Sequence, residues 1–268
     1  MATLPNPLPS LAASGLQLPP GTLVDATHDG PWHEPLLWYA DGSATPDTWP
    51  QLLDEGRAVG LLLVLLDGGI RGEWPEKWEL NPGMTSYPGD HHAEHVLGEL
   101  WEEYAEDELE GAAIEPFGPE WPGLAPTPSV SDPADAEERA AEIAARLTDA
   151  DGRMPGARAA LVPARRSADI PAAIGWTGPL NYENDVARLC AVLRSWEDRF
   201  GIRVVALGFD HLIVSVATPP TTVDEAVAVA AEHFAFCPDN IAHNTPDTLR
   251  AYADQYVLGE DSWSFWWD

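Results

Sequence analysis

The sequence predicts an α+β protein, in which a C-terminal β-α-β-β-α-(α)-β unit of ferredoxin-like order packs against an N-terminal α/β part. Residues 59–66 carry no polar side chain, which is typical of a strand covered on both faces. The C-terminal part alternates between helical periodicity and short β-rich runs. Hydrophobic residues make up 45% of the chain and twelve are tryptophan, so wholesale disorder is excluded.

The first part, residues 1–114, opens with short predicted strands at 23–26 and 34–40. Thr45, which is followed by proline, predicts the N-cap of a short helix that ends near Gly56. The buried strand comes next, so the order strand, helix, strand predicts an α/β arrangement.

An acidic helix is predicted to begin at His91, with Asp90 as its cap. Its apolar stripe consists of Val96, Leu97, Leu100, Trp101 and Tyr104. Its other face carries Glu99, Glu102, Glu103, Glu106, Asp107, Glu108 and Glu110. Because like charges at this spacing weaken an isolated helix, we expect its stability to come from docking of the stripe.

Residues 115–133 contain six prolines and predict a linker or a long surface connection. Ser131 or Asp132 is the expected cap of the helix that follows.

The second part, residues 134–268, has the clearest signals for the ends of its helices and strands. A helix over about 184–200 is predicted to end at Gly201, and Thr222 with Glu225 forms a capping box. A further helix is expected to start at Thr245. The predicted strands are 159–163, 203–208, 212–217 and 262–267.

The charge is strongly acidic, with 14 basic against 44 acidic residues and a formal net charge of −30. No basic side chain lies between Lys77 and Arg139. Such a surface repels phosphate backbones and anionic lipid, so we expect neither nucleic acid nor membrane as a partner. It fits a basic protein partner or bound cations, or it serves only solubility.

We expect a cytoplasmic protein. The first fifteen residues hold three prolines and no positive charge, unlike a signal peptide. The longest apolar run, 58–66, is about half the length of a membrane span. Two cysteines are too few for a disulfide scaffold, and the Ala, Gly, Pro and Arg bias suits a GC-rich bacterial genome.

Several C-terminal motifs resemble one known family. They are Trp196-x-x-x-Phe200-Gly201, the Asp210 hairpin, Pro219-Pro220, Glu225-Ala226, the run from Glu232 to Asp239, and the ending Trp263-x-Phe265-Trp266-Trp267-Asp268. Over about residues 158–268 the chain resembles the bacterial domain of unknown function 4253 family. The resemblance implies no activity, cofactor or catalytic residue.

One possible metal site matches the pattern His-x-x-Glu-His. On a helix, His91 and His95 would lie one turn apart and ligate zinc, while Glu94 polarises a water molecule. The same residues are also ordinary at an exposed helix start, and no downstream motif supplies a third ligand.

The turn Cys237-Pro238-Asp239-Asn240 is a candidate binding site beside His233 and His243. A thiol near imidazole and carboxylate groups can be a nucleophile. A helix C-terminus, however, raises the pKa of a thiol, which favours a small buried hydrophobe and a hydrogen-bonded turn.

The aromatic C-terminus predicts a strand with two unlike faces. Trp263, Phe265 and Trp267 would share one face, and Ser264 and Trp266 the other. Either all of these aromatic rings cover the core, or Trp266 remains exposed as an anchor for a partner.

Arg165-Arg166 is the only basic doublet. It suits an anionic ligand or ion pairs with the surplus carboxylates.

We therefore expect a non-catalytic binding protein without a cofactor, one version being an inhibitor or immunity-like protein for a basic partner. The alternatives are a zinc-dependent hydrolase using His91, Glu94 and His95, and a small-ligand module near Cys237 and the terminal tryptophans.

Overall fold

A computed structural model describes residues 5–69, 72–107, 114–128, 133–242 and 248–268. Some predictions lie outside these residues. They are the charges of Glu108 and Glu110, the cap at Ser131 or Asp132, His243, and the helix start at Thr245.

The described residues form nine strands and eight α-helices, with several short 3₁₀ turns between them. The strands are β1 (Gly21–Val24), β2 (Ala26–Thr27), β3 (Gly30–Pro31), β4 (Leu37–Ala40), β5 (Leu62–Leu66), β6 (Arg158–Val162), β7 (Arg203–Leu207), β8 (His211–Ser215) and β9 (Ser262–Trp266). The helices are α1 (Thr48–Ala58), α2 (Ala93–Asp107), α3 (Pro133–Thr148), α4 (Ile170–Ile174), α5 (Val186–Phe200), α6 (Val223–Phe236), α7 (Asp239–Ala242) and α8 (Leu249–Tyr256).

One mixed sheet of seven strands, in the order β1-β4-β6-β5-β7-β8-β9, unites both parts of the chain. β5 and β7 run parallel, and the other neighbouring pairs run antiparallel. The α+β class is therefore confirmed. The proline-rich connection does not divide the sheet, because β6 from the second part lies between β4 and β5 from the first.

The ferredoxin-like arrangement is wrong, although the order of elements along the chain is right. A split βαβ unit holds two parallel strands apart by a third strand of the same unit. Here β5, from the N-terminal part, separates β6 from β7. Because β5 is antiparallel to β6 and parallel to β7, strands β6 and β7 run in opposite directions. β7, β8 and β9 are successive neighbours in a meander.

The sheet separates two hydrophobic cores. The larger core lies under α2, α5, α6 and α8, and it collects most of the aromatic rings. The smaller core lies under α1, α3 and residues 8–13. β5 contributes buried side chains to both, as its uninterrupted apolar run predicts.

Capping residues and a glycine set the ends of two C-terminal helices, α5 and α6. The carboxylate of Asp185 caps α5, and Gly201 ends it with a φ of 64°. Thr222 and Glu225 form the predicted capping box of α6.

Two helix starts differ from the prediction. The first helix begins at Thr48, and Thr45 does not act as its cap. The Thr45 backbone N–H instead donates a hydrogen bond to the Thr48 hydroxyl. α2 begins at Ala93, because His91 has an extended backbone after the 3₁₀ turn Pro88–Asp90.

The described residues of the proline-rich connection are anchored to the core. The Ala125 N–H donates to Glu232 at 2.6 Å, and Arg199 donates to the Ala125 carbonyl at 3.0 Å. Glu232 is completely buried and also pairs with Arg199 and Trp196 Nε1. Because its partners satisfy this buried charge, the connection is held against α5 and α6.

In the part of the chain that the structure describes, no helix combines the length and apolarity that a membrane crossing requires.

Candidate functional site

The Cys237–Asn240 turn joins the end of α6 to strand β9. Asn240 Nδ2 donates to the Ser264 carbonyl at 2.8 Å, and the Trp266 N–H donates to Asn240 Oδ1 at 3.2 Å. The Cys237 thiol donates to the Trp266 carbonyl at 2.9 Å. Because β9 is an edge strand, these side chains satisfy backbone groups that a further strand would otherwise pair.

Asp239 fixes the chain terminus through the same turn. It accepts hydrogen bonds from the Tyr182 hydroxyl and from the Asp268 N–H at 2.9 Å. Burial, followed by the hydrogen bond to Asp239, raises the pKa of Tyr182. The carboxylate is buried, so it serves as an internal acceptor.

Cys237 lacks the properties of a nucleophile. Its side chain is completely buried, and this burial raises the pKa of the thiol. His233 is also completely buried, and desolvation, followed by the charge of Arg199, lowers its pKa to about 3. The Nδ1 atom of His233 lies 3.1 Å from the Tyr252 hydroxyl. Cys237 is therefore a small buried hydrophobic residue, which is the second of the two interpretations that the sequence offered for it.

The two faces of β9 differ as the alternation predicts. Trp263 and Trp267 are 1% and 2% exposed, so as predicted binding residues they are corrected to core residues. Trp266 points the other way and is 38% exposed. The buried turn residues Cys237 and Asp239 are likewise part of the interior, whereas Asn240 borders the open face.

Trp266 lies in a groove of about 790 Å³ on the open face of the sheet. α3, residues 151–153, α8 and β9 surround it. Its lining residues include Ile143, Arg146, Asp151, Arg153, Ile213, Asn240, Tyr252, Tyr256, Glu260, Ser262, Ser264 and Trp266. We call this cavity the β9 groove.

Short side chains create the space. Ser262 and Ser264 lie opposite Ser215 and Ile213 in the β8–β9 pairing. Serine at these positions leaves the floor of the groove low and polar, where a larger apolar side chain would fill it. The Ser215 hydroxyl is buried without a hydrogen-bond partner among the described residues.

Aromatic and charged groups surround this floor. Tyr256 is 42% exposed, while Asp151 and Glu260 are also at the surface. Arg146 pairs with Asp261 at 2.6 Å, which neutralises one of the two arginines of the groove. The exposed rings suit a ligand that is both apolar and cationic, as do the carboxylates of Asp151 and Glu260, for which the described residues provide no ion-pair partner.

The groove contains residues that the sequence did not single out, namely Tyr252, Tyr256, Ser262 and Arg146. Their signal is faint. The serines alternate with buried aromatic residues in β9, but nothing in the sequence indicates that α3 leaves this end of the sheet open.

The predicted zinc ligands do not converge. His91 precedes α2, and its Nε2 atom lies 2.6 Å from the Ser86 hydroxyl and 3.8 Å from Asp185. Glu94 and His95 are exposed on the first turn of α2. Among the described residues, no group of three His, Cys, Asp or Glu side chains is arranged to hold a metal ion.

The Ser86–His91 contact lacks the geometry of a catalytic triad. In a triad, serine and aspartate engage opposite nitrogens of the imidazole. Here both Ser86 and Asp185 face Nε2. Asp185 also accepts from the backbone of Ser86 and caps α5, so this contact serves to attach the loop before α2 to α5.

The comparisons with known proteins agree with the sequence motifs. A family model described as a domain of unknown function (DUF4253) matches residues 158–268, which confirms the resemblance for the C-terminal part. No curated protein and no solved structure gives a significant match to this chain.

Proposed function

We propose from the β9 groove that this protein is a non-catalytic binding protein. Its ligand is a basic segment of another protein. The family model that matches residues 158–268 describes a domain of unknown function and names no activity. The observation that carries this proposal is the exposed indole of Trp266, which lies above a polar floor in a groove bordered by carboxylates. A partly exposed tryptophan in a concave site is a typical anchor for a protein partner.

The charge distribution supports a basic ligand. The net charge of −30 attracts cations over a long range and accelerates their association. At short range, Asp151 and Glu260 lie beside the rings of Trp266 and Tyr256. A lysine or arginine side chain can place its charge over an aromatic face and its aliphatic part against Ile143.

Helix α2 makes a second, longer-range contribution to the attraction of a basic ligand. Glu94, Glu102 and Glu103 are exposed on its outer face. Glu99, on the same face, pairs with Arg188 at 2.7 Å and is therefore partly neutralised. The exposed carboxylates of α2 favour an inhibitor or immunity-like role, in which an acidic protein neutralises a basic one.

We place this function in the cytoplasm. Cys190 and Cys237 are free thiols that are buried at different sites, which fits a reducing compartment.

A peptide-binding experiment tests the proposal. Fluorescently labelled peptides of equal length, rich in lysine and arginine or in glutamate, are titrated with the protein, and their anisotropy is measured. We expect the basic peptides to bind, with an affinity that falls as salt is raised. Trp266→Ala should weaken binding at least about tenfold, because truncation of an aromatic anchor removes most of its contact area.

Leu23→Ala is the matched control. Leu23 is an exposed apolar residue on β1, the edge strand at the opposite end of the sheet. Its variant should bind as the wild type does. Basic peptides that do not bind, or that bind the Trp266→Ala variant unchanged, contradict the proposal.

A further inference from the structure

Two arginines line the β9 groove, and only one of them has a partner among the described residues. Arg146 pairs with Asp261 at 2.6 Å. The side chain of Arg153 makes no ion pair or hydrogen bond with any described residue. A lysine or arginine of a bound segment would therefore meet one unpaired positive charge in a groove that otherwise attracts cations. A negative group on the ligand would match it.

The backbone fixes the position of Arg153 at the groove. The preceding residue, Gly152, lies so close to the end of α3 that a Cβ atom there would be 2.5 Å from the carbonyl oxygens of Arg146 and Leu147. Only glycine fits such a close approach. The following residue, Met154, is buried, and its N–H donates to the Leu147 carbonyl at 2.9 Å. Arg153 is thus presented from a segment that is anchored on both sides.

The groove also carries two unpaired carboxylates. Asp151 and Arg153 are exposed on either side of Gly152 and do not pair with each other. Glu260, which follows α8, is exposed and has no ion-pair partner among the described residues. All three charged side chains line the groove. The groove therefore suits a ligand that carries charges of both signs.

The carboxyl terminus of a basic segment is a ligand of this kind. Its carboxylate lies on the backbone directly beside the last basic side chain, so both charges fit in one groove. A guanidinium group binds a carboxylate through two parallel hydrogen bonds. The hydroxyls of Ser262 and Ser264 on the floor of the groove can donate to the same group.

We propose that Arg153 binds the C-terminal carboxylate of the ligand, so that the partner is a protein with a basic carboxyl terminus. This inference rests on the proposed function, in which the β9 groove binds a basic segment. The rings of Trp266 and Tyr256 contact the aliphatic parts of the basic side chains, and Asp151 and Glu260 attract their charges.

The net charge of the protein provides a sharp test, because it acts in the opposite direction. An amidated peptide has one positive charge more than the same peptide with a free carboxyl terminus. The net charge of −30 therefore attracts the amidated peptide more strongly at long range. A preference for the free carboxylate has to come from a local contact.

Two labelled peptides with the same lysine- and arginine-rich sequence test the inference, one with a free C-terminal carboxylate and one with a carboxamide. Each is titrated with the full chain at constant ionic strength, and its fluorescence anisotropy is measured. We expect the free acid to bind about tenfold more tightly. Equal affinities, or tighter binding of the amide, overturn this inference and leave the proposed function standing. Failure of both peptides to bind overturns the proposed function and this inference with it.

Arg153→Gln should remove the preference, because it deletes the charged donor and retains a side chain of similar length. Its affinity for the free acid should fall about tenfold, and its affinity for the amide should not fall. Arg250→Gln is the matched control, since Arg250 is exposed on α8, has no ion pair with a described residue and does not line the groove. A preference that survives in Arg153→Gln, or that disappears in both variants, contradicts the assignment.

A third peptide distinguishes a chain terminus from an acidic side chain. It is amidated and has glutamate as its last residue, so it carries a carboxylate away from the backbone. We expect it to bind no more tightly than the amide without glutamate. Affinity equal to that of the free acid would show that Arg153 accepts any carboxylate, which overturns the assignment to a carboxyl terminus. Circular dichroism of each variant verifies folding.

Discussion

Both faces of strand β9 carry tryptophan, but the two faces perform different tasks. On one face, Trp263, Phe265 and Trp267 pack into the larger core around Trp196. On the other, Ser262, Ser264 and Trp266 line an open groove. Tryptophan content alone therefore does not identify a binding site. The neighbours decide, because Trp266 lies beside Ser264 on an uncovered face and remains accessible.

The first prediction compares the two faces directly. Trp263→Ala should lower the free energy of unfolding by roughly 3–5 kcal/mol, because it removes a large buried ring and leaves a cavity. Trp266→Ala should lower it by less than about 1 kcal/mol, since its side chain is already partly in water. Urea denaturation followed by circular dichroism measures both values. Equal losses would contradict the division between a structural face and a binding face.

The alternation of β9 was predictable from the sequence because side chains of a strand alternate by geometry. The capping box of α6 and the stop at Gly201 were predictable for the same reason, since each depends on residues within one helical turn. These signals are local, and the structure confirms them.

The position of β5 between β6 and β7 was not predictable in this way. Residues 62–66 show that the strand is buried, but hydrophobicity alone does not select its neighbours. The ferredoxin-like prediction failed because it assumed that the C-terminal strands pair only among themselves.

The zinc hypothesis depends on an assumption about local structure that the chain does not meet. The His-x-x-Glu-His pattern assumes a continuous helix, and the chain instead remains extended at His91. A side-chain contact with Ser86 at 2.6 Å draws the imidazole away from the helix face.

A second prediction concerns the hydrogen bonds that join Asn240 to the edge strand β9. Asn240→Ala should lower the free energy of unfolding by about 1–3 kcal/mol, because the Trp266 N–H and the Ser264 carbonyl lose their hydrogen-bond partner beside a buried turn. Asn181→Ala is the matched control. Asn181 donates a single exposed hydrogen bond to the Asp268 carbonyl, so its loss should cost less than about 0.5 kcal/mol. Denaturation midpoints that shift equally in both variants would mean that the turn does not hold β9.

The last and most gradual effect concerns the buried face and pH. The ring of His233 packs against Trp263 at 4.6 Å and Phe265 at 4.9 Å, and burial lowers its pKa to about 3. An unfolded histidine has a pKa near 6.5. Below about pH 6.5 the unfolded chain therefore binds a proton that the folded chain excludes until about pH 3. The contribution of His233 to stability is complete above pH 6.5 and is lost as the pH falls through this window, at up to roughly 1.4 kcal/mol per pH unit.

The acidic side chains titrate in part of the same range, so the measurement is a difference between two proteins. His233→Phe retains an aromatic ring, removes an Nε2 atom that has no partner among the described residues, and leaves the Tyr252 hydroxyl bonded to Asn240. Urea denaturation between pH 7 and pH 4 should show the wild type losing stability more steeply than this variant, with the gap opening below about pH 6.5. Parallel pH profiles would mean that water reaches His233, and that the core side of β9 is less closed than its tryptophans indicate.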